Sequence, residues 1–395
     1  MQAAGAHAGG NNENIDNVKG AAPVKSGLLL FLKSLSKHSG LTPILKRLLQ
    51  ARRPQPGAIL TTRGENTPYL KRLEKERTHF ATCENVHNLP DIFHYWSNKY
   101  LRPALEQCGF SNPDEFFAIQ LEKTFGGNPQ MQRRFVSIGA GNCDTEVRLA
   151  VMLKKRGYEN FVIECLDINE AMLSRGTTLA TANGVASNIS ARLGDFNLWW
   201  PTRQYNAVIA NQSLHHVVDL EHLLDAIKAT LGEDGIFVTS DMIGRNGHQR
   251  WPEALSIVKE FWRELSHERR FNLQLQRQET EFLDWDCSVS GFEGIRSQDI
   301  VPQLMSRFEF QFFYAFGNVV DPFIDRSFGH HLDPDNAKDR DFIDRIHARD
   351  QAELDAGNIT PTHMFAVLKN GTPGHCVFSL GRGPAECMRR IENIA

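Results

Sequence analysis

One stretch, FVSIGAGNCDTEVRLA from Phe135 to Ala150, constrains the fold of this chain more than any other. Four mostly apolar residues run into Gly-Ala-Gly, and the residues that follow have helical spacing. A glycine turn between a strand and a helix is typical of α/β folds that bring the backbone close to a bound ligand. The nature of that ligand is the question that the rest of the sequence has to answer.

The chain continues with a regular alternation of apolar and helical segments. Strands are predicted at Phe135–Ile138, Phe161–Leu166, Ile189–Leu193, Tyr205–Ala210 and Gly235–Ser240, and helices at Thr145–Arg156, Glu170–Ala182 and Leu220–Thr230. Continuous apolar strands that alternate with helices belong to a parallel sheet covered on both faces. Ligands of such sheets bind at the carboxyl ends of the strands, where the strand order reverses. The glycine turn lies at such an end.

The glycine pair itself argues against a dinucleotide. The dinucleotide fingerprint is G-x-G-x-x-G, and its third glycine permits close packing of helix on strand. Gly139 and Gly141 fit this pattern, but the third position holds Asp144, which would crowd and repel a pyrophosphate. A hydride-transferring oxidoreductase is therefore disfavoured, and two glycines without the third suit a ligand that carries no phosphate at the turn.

Polar side chains at the ends of the next strands fit a nucleoside. Asp167 follows the second strand, where a carboxylate can accept both hydroxyls of a ribose. Asp195 and Phe196 follow the third strand, where the acid can accept from an exocyclic amine and the ring can cover an adenine. The fourth strand ends in ANQSLHH, so that a polar amide at Asn211 completes the same rim.

Five segments of this kind stand in order along the core: SIGAGNCDTEVRLA, CLDIN, GDFN, IANQSLHHVVDLEHLLDAI and GIFVTSDMIG. Together they resemble the class I S-adenosylmethionine-dependent methyltransferases over about Phe135 to Met242. The ending PTHMFAVLKNG is similar to the last antiparallel strand of that family, with FEFQFFYAFGN as its partner. The resemblance implies an α/β fold with a doubly wound, seven-stranded, mostly parallel sheet, and S-adenosyl-L-methionine as the cofactor.

The resemblance also implies a role for each matching residue. The glycine turn lines the methionine portion of the cofactor, Asp167 takes the ribose hydroxyls, and Ile168 flanks the adenine. Asp195 and Phe196 hold the adenine, and a polar pair after the fourth strand lies beneath the sulfonium. The turn consists of Gly139, Ala140 and Gly141, and the polar pair of Asn211 and Gln212.

The sequence departs from the family pattern at three places. Ser137 replaces the acid of the first motif and Cys143 replaces its third glycine, so we expect Asp144 or water to contact the amino group of the cofactor. The family's Asn/Asp-Pro-Pro-aromatic motif for amide methylation is also missing, because NQSL stands after the fourth strand. This last departure favours an oxygen over an amide nitrogen as the methylated atom.

Two adjacent histidines, His215 and His216, lie just beyond the fourth strand and are the candidate catalytic residues. Methyl transfer from a sulfonium is an in-line displacement, and a hydroxyl acceptor must also lose its proton, a role that suits histidine near neutral pH. Adjacent residues at the start of a helix point in different directions, so we expect only one of them to face the site. The pair does not indicate a metal site, because no carboxylate or third ligand lies at a characteristic spacing.

The remaining regions are expected to shape the acceptor pocket. We expect a disordered N-terminus at 1–24, followed at 25–80 by basic amphipathic helices and a linker that ends in the charged helix YLKRLEKERTHF. A helical cap at 81–130 leads into the methyltransferase core at 131–370, and a C-terminal tail follows at 371–395. Within the core, substrate-lid insertions are expected at 243–306 and 318–360. Tyr95 and Trp96 of the cap are predicted to contact the acceptor, as are His330 and His331 of the second insertion, although a solvated loop also accounts for these histidines.

Composition limits the partners and the compartment. Seven scattered cysteines without a C-x-x-C pair and the absence of a signal-peptide pattern favour a reducing, cytoplasmic protein. A net charge of −3 makes nucleic acid an unlikely partner. Residues 25–53 carry seven basic residues and no acidic one, so they fit either packing on the enzyme itself or contact with an anionic membrane surface or an acidic partner.

The sequence therefore predicts an S-adenosylmethionine-dependent methyltransferase, with O-methylation of a small-molecule or saccharide acceptor and a histidine as the base. The alternative is a non-catalytic module that keeps the cofactor pocket and acts through contact with a partner or a membrane.

Overall fold

A mixed sheet of eight strands is the central element of the protein. The structure is a computed structural model that describes residues 68–81, 89–289 and 291–389. The strands of the sheet are β1 (Arg133–Ile138), β2 (Phe161–Asp167), β3 (Ile189–Leu193), β4 (Tyr205–Asn211), β5 (Leu231–Met242), β8 (Glu309–Phe316), β9 (His363–Lys369) and β10 (Ser379–Leu380), and a separate antiparallel pair consists of β6 (Phe271–Asn272) and β7 (Arg277–Gln278).

The order of the strands fixes where a ligand can bind. It is β10-β8-β9-β5-β4-β1-β2-β3, in which β1 to β5 are parallel to their neighbours among themselves and β9 is antiparallel to both β5 and β8. Because β1 lies between β2 and β4, the strand order reverses at its carboxyl end. The glycine turn follows β1 directly and therefore lies at the switch point, as the predicted doubly wound α/β fold requires.

The predicted count of seven strands is one too few. The eighth strand, β10, comes from the predicted C-terminal tail and pairs in parallel with β8, Ser379 with Phe313 and Leu380 with Tyr314. A strand at the edge of a sheet has unpaired N–H and C=O groups that recruit a further segment. A two-residue strand of this kind has no recognisable period in the sequence.

Helices cover the sheet and begin at the expected places. Asn169 caps the helix after β2 by accepting from the N–H groups of Ala171 and Met172, and Asp219 caps the helix before β5 by accepting from His222. The helices are α1 (Pro68–Ala81), α2 (Asp91–Trp96), α3 (Arg102–Glu106), α4 (Pro113–Lys123), α5 (Asp144–Lys155), α6 (Glu170–Ala182), α7 (Leu220–Thr230), α8 (Pro252–Trp262), α9 (Ile300–Met305), α10 (Asp321–Ile324) and α11 (Ala337–Ala356), and a π-helical turn (Ser97–Leu101) joins α2 to α3.

The two faces of the sheet bury two separate apolar clusters. Along β4, Ala207 and Ile209 face one cluster, while Val208 and Ala210 face the other, as the two-residue period of a strand dictates. One cluster includes residues of α4 and α5, and the other includes residues of α7 and α9. Burial on both faces explains why these strands are continuous apolar runs in the sequence.

A third apolar cluster joins the N-terminal helices to the two insertions. It contains Ile92 and Trp96 of α2 together with apolar residues of α8, α10 and α11, among them Phe261, Phe323 and Phe342. Both predicted insertions therefore have a folded core, and the helices of residues 89–130 help to build it. The domain boundaries themselves remain a prediction.

Residues 1–67 lie outside the described residues, and so do the predicted disordered N-terminus and the basic stretch 25–53. The charged helix expected at the end of the linker is α1. Among the residues that the structure describes, no helix has the length and apolar content to span a membrane.

Candidate active site

The glycine turn after β1 is held tightly against its neighbours. Gly139 and Gly141 have φ angles of +70° and +54°, which favour glycine. The N–H groups of Gly139 and Ala140 both donate to the carbonyl of Leu166, at 2.9 and 3.1 Å. A Cβ atom at Gly139 would lie 2.8 Å from the Cβ of Ser213, so the loop after β4 packs directly on the turn. This contact brings the turn and the two histidines into one region.

Asp167, at the end of β2, ties the turn to the next helix. One carboxylate oxygen accepts from the N–H of Gly141 and the other from the N–H of Asn169, both at 2.8 Å. The side chain is 8% exposed, and burial raises its pKa above the ordinary value while these donors oppose the shift. Ile168 is partly exposed beside it. The structure therefore places both residues at the turn, and their contacts with ribose and adenine remain predictions.

The end of β3 has a neighbour that the sequence analysis missed. The hydroxyl of Tyr69, on α1, donates to the carboxylate of Asp195, and the N–H of Asn197 donates to the other carboxylate oxygen at 2.8 Å. The Tyr69 ring also packs on Phe292, with centroids 5.4 Å apart. Helix α1 thus lies over the predicted adenine site. Phe196 is buried in an apolar cluster of the sheet, and its contact with adenine remains a prediction.

The polar pair after β4 is held by side chains on both sides of the switch point. The amide of Asn211 donates to the Thr145 hydroxyl at the start of α5, at 3.2 Å. Gln212 has a φ of +54°, and its side-chain amide donates to the Ser240 hydroxyl of β5 at 3.3 Å. The pair therefore lies between α5 and β5, and its position beneath a sulfonium remains a prediction.

A buried carboxyl stands behind the turn. The hydroxyl of Ser137 donates to one oxygen of Glu146 at 2.6 Å, while the other oxygen has no hydrogen-bond partner among the described residues. Burial raises the pKa of Glu146 to about 7. Position 137 holds a serine where the family pattern has an acid, and this serine bonds to a carboxyl supplied by α5.

His215 is fixed by a buried carboxylate at the end of β5. Its Nδ1 lies 2.7 Å from Oδ1 of Asp241, which is fully buried and also accepts from the N–H groups of Ser213 and Leu214 at 2.9 and 2.7 Å. Burial opposes a charged ring, but Asp241 and Glu293 together raise the pKa of His215 to about 10. Asp241 therefore orients both the loop after β4 and the imidazole.

Three histidines converge on one glutamate of the first insertion. Oε1 of Glu293 lies 2.8 Å from Nε2 of His248 and 3.4 Å from Nε2 of His215, and its Oε2 lies 3.6 Å from Nε2 of His216. Burial and the nearby His215 lower the pKa of His216 to about 4. Burial disfavours the charge of Glu293, yet the histidines hold its pKa well below the usual range. We call these four residues the histidine–glutamate cluster.

A family model described as a methyltransferase domain matches residues 132–288. This range contains the glycine turn, the strand-end acids and the histidine pair. Residues 132–288 therefore form a methyltransferase domain that uses S-adenosylmethionine. Its cofactor is accordingly S-adenosyl-L-methionine, as the turn and the strand ends predict.

A search of the curated proteins finds no significant match to the methyltransferase sequence. Two solved structures illustrate its distant likenesses. A proposed sarcosine dimethylglycine methyltransferase from Galdieria sulphuraria is 15% identical, with 66% of this chain and 85% of that chain covered and a TM-score of 0.39. An O-methyltransferase from a Brevibacillus brevis trans-AT PKS multienzyme is 13% identical, with 64% and 71% covered and a TM-score of 0.38. At such low TM-scores, neither likeness carries an argument about this methyltransferase.

The four residues predicted to contact the methyl acceptor make other contacts. Tyr95 and Trp96 bond to α11, the Tyr95 hydroxyl donating to Asp344 at 2.9 Å and the Trp96 indole to His347 at 3.2 Å. The ring of His331 lies 2.7 Å from the carbonyl of Phe271, and His330 is exposed. These contacts place Tyr95, Trp96 and His331 in the packing of the insertions. A role in acceptor binding remains a prediction for all four residues.

Five residues of the methyltransferase site escaped the sequence analysis: Tyr69, Glu146, Asp241, His248 and Glu293. A usable signal existed for Asp241, because it is an acid at the end of a predicted strand, like Asp167. No motif marks His248 or Glu293, which lie in an insertion far from His215 in sequence.

Proposed function

We propose that this methyltransferase transfers the methyl group to an oxygen atom of a small-molecule or saccharide acceptor, and that His216 takes the hydroxyl proton. The histidine–glutamate cluster carries this proposal, because two of its histidines lie in the loop after β4, which packs on the glycine turn through Ser213. Proton-accepting groups beside the cofactor serve an acceptor that must lose a proton.

The chemistry needs little from the protein besides alignment and proton removal. The acceptor oxygen forms a bond to the methyl carbon while the carbon–sulfur bond breaks, so that S-adenosylhomocysteine leaves and the proton passes to an imidazole nitrogen. The His216 side chain is 22% exposed and that of His215 only 4%. Because His215 is also held by Asp241, it suits the role of a positioning residue, and His216 suits the role of the base.

Product analysis with labelled cofactor tests this proposal. The metal-free chain is incubated with methyl-labelled S-adenosylmethionine and a panel of phenols, aliphatic alcohols and saccharides, and the labelled atom is identified by mass spectrometry and NMR. We expect a methyl ether, formed about 10² to 10⁴ times more slowly by His216→Gln at unchanged cofactor affinity. His375→Gln is the matched control, because His375 also lies beside a glutamate but far along the chain from the cluster. Label on nitrogen or carbon would refute O-methylation.

A contact of residues 25–53 with an anionic membrane or an acidic partner is a separate part of the proposal, and so is the cytoplasmic location. The charge of this stretch supports the contact, although the stretch lies outside the described residues. Flotation with anionic liposomes compares the full chain with one that begins near Thr61. We expect only the full chain to float with the liposomes. Equal flotation of the two chains, or flotation of neither, would refute a membrane contact through residues 25–53.

A further inference from the structure

We propose that His215, His216 and Glu293 form a binding site for one divalent cation of the zinc class. The proposal rests on the proposed function in one respect, because the cation would take the imidazole nitrogen that serves as the base. The cation would thereby regulate methyl transfer at the acceptor side of the site.

The spacing of the ligand atoms fits such a cation. Two imidazole nitrogens and one carboxylate oxygen, from three residues, lie within 4.8 Å of one another. Nε2 of His215 lies 3.4 Å from Oε1 of Glu293, and Nε2 of His216 lies 3.6 Å from Oε2 of the same carboxylate. Tetrahedral zinc with bonds of about 2.0–2.2 Å places its ligand atoms about 3.3–3.6 Å apart. The three groups can therefore close around one cation with small side-chain movements.

Two further residues orient the ligands from behind. Asp241 holds Nδ1 of His215 at 2.7 Å, which leaves Nε2 of that ring for a cation. Nε2 of His248 holds Oε1 of Glu293 at 2.8 Å, which fixes the direction of the carboxylate. Carboxylates and imidazoles behind the ligands are the usual supports of metal-binding histidines and acids. A solitary general base needs one such orienting residue, whereas here a histidine ligand and the carboxylate ligand each have one.

The donor set and the access route select the class of cation. Two imidazoles and a carboxylate suit zinc and its transition-metal neighbours, whereas magnesium and calcium prefer oxygen ligands. The side chain of Glu293 is 40% exposed, so the site is open on one side. Three protein ligands leave a fourth position for water or for an acceptor oxygen.

This proposal reverses the interpretation of the histidine pair drawn from the sequence. That interpretation found no third ligand at a characteristic spacing from the pair in sequence. The fold supplies Glu293 from the insertion after β5. Since a lone pair cannot hold both a cation and a proton, the loaded site lacks a free base at His216.

Calorimetric titration of the full chain with Zn²⁺, after removal of metal with a chelator, tests the site without reference to catalysis. We expect one ion per chain with a micromolar or tighter Kd, weakened at least tenfold in Glu293→Gln and in His216→Gln. His375→Gln serves as the control and should bind like the wild type. Thermal unfolding of each variant confirms that it is folded, and the visible absorption of a Co²⁺ complex reports the coordination number.

The regulatory part is tested by methyl transfer with and without one equivalent of Zn²⁺. We expect the cation to lower the rate at least tenfold in the wild type and less in Glu293→Gln, with cofactor affinity unchanged. No saturable binding, or binding that Glu293→Gln leaves intact, would overturn the site. Binding with an unchanged or higher rate would overturn the regulation. A metal-free chain that methylates no hydroxyl, yet binds one Zn²⁺, would refute the proposed function and leave the site standing.

Discussion

The proposed cofactor side and the proposed acceptor side of this methyltransferase, called the two sides below, are built differently. On the cofactor side, each predicted residue lies at the end of its own strand or just after it, and the parallel sheet brings the ends of β1 to β4 together. On the acceptor side, the histidine–glutamate cluster combines the loop after β4 with two separate parts of the insertion after β5. The difference teaches that the sheet alone places the residues at the strand ends, whereas the cluster depends on the path of an insertion.

The largest loss of methyl transfer is expected from a substitution of Asp241, which bonds both to the loop that packs on the glycine turn and to His215. Asp241→Asn keeps the shape of the side chain but loses one acceptor oxygen for the His215 ring and the N–H groups of Ser213 and Leu214. We expect kcat/KM for methyl transfer to fall about 1000-fold, because a misoriented imidazole loses most of its function. Steady-state kinetics measure this, and calorimetry should show that the affinity for the cofactor changes far less.

Asp225→Asn provides the matched control, because Asp225 bonds to Arg307 at the surface of α7. If Asp241→Asn weakened cofactor binding as much as it slowed methyl transfer, Asp241 would serve the cofactor side as well as the acceptor side, which would contradict the prediction.

The second expected effect concerns the cofactor side alone. Asp167→Asn retains an acceptor for one of the two N–H groups but removes the charge and one acceptor oxygen. We expect the affinity for S-adenosylmethionine and S-adenosylhomocysteine to fall about 100-fold, since hydrogen bonds to a charged group contribute about 1.5–3 kcal/mol. Calorimetry measures the affinity for both ligands, with NAD as the negative control.

Glu164→Gln is the control for this change, because Glu164 lies on the same strand and pairs with Arg192 instead of the turn. An unchanged affinity in Asp167→Asn would show that the turn binds the cofactor without this acid.

Most of the cofactor side could be predicted from the sequence. The bounds of β1, β2, β3 and β4 differ from the predicted ones by at most two residues. Burial on both faces makes the central strands β1, β2 and β4 largely apolar runs, whereas the edge strand β3 is mostly exposed. Asp167 and Asp195 could be located for the same reason, since each directly follows a strand. The fold thus followed from local patterns.

The acceptor side could be predicted only in part. His215 and His216 were found because they lie beside β4, but their partner Glu293 belongs to an irregular segment whose path no local pattern determines. Tyr69 escaped for a related reason, since α1 was recognised as a charged helix while its docking on Asp195 depends on tertiary contacts. The eighth strand was missed because two residues have no period.

The third prediction concerns the pH dependence of stability. The pKa of Glu146 is raised to about 7 in the folded protein from 4.5. A carboxyl whose pKa rises on folding stabilises the protein below its unfolded pKa and loses that contribution as the pH rises through the folded pKa. We therefore expect this group to cost roughly 2 kcal/mol of unfolding free energy between pH 5 and pH 7.5.

Urea unfolding of the wild type and Glu146→Gln at the two pH values measures this cost, and the variant should have the flatter profile. A second buried carboxyl, Asp350, lies within the second insertion, where burial and the charge of Asp321 also raise its pKa to about 7. Asp350 keeps its contribution in Glu146→Gln, so some pH dependence should persist. An identical profile in both proteins would mean that Glu146 is charged when buried.

The smallest expected effect tests whether α1 belongs to the cofactor side. Tyr69→Phe removes the hydroxyl that donates to Asp195 but leaves the ring against Phe292. If the adenine amine uses the same carboxylate, the hydroxyl competes with the cofactor, and its loss should tighten S-adenosylmethionine binding about fivefold, or about 1 kcal/mol. Calorimetry measures the change, with Tyr158→Phe as the control because Tyr158 donates to Glu122 at 3.2 Å. Weaker binding would instead show that Tyr69 holds Asp195 in place for the adenine, and α1 would then be part of the cofactor site.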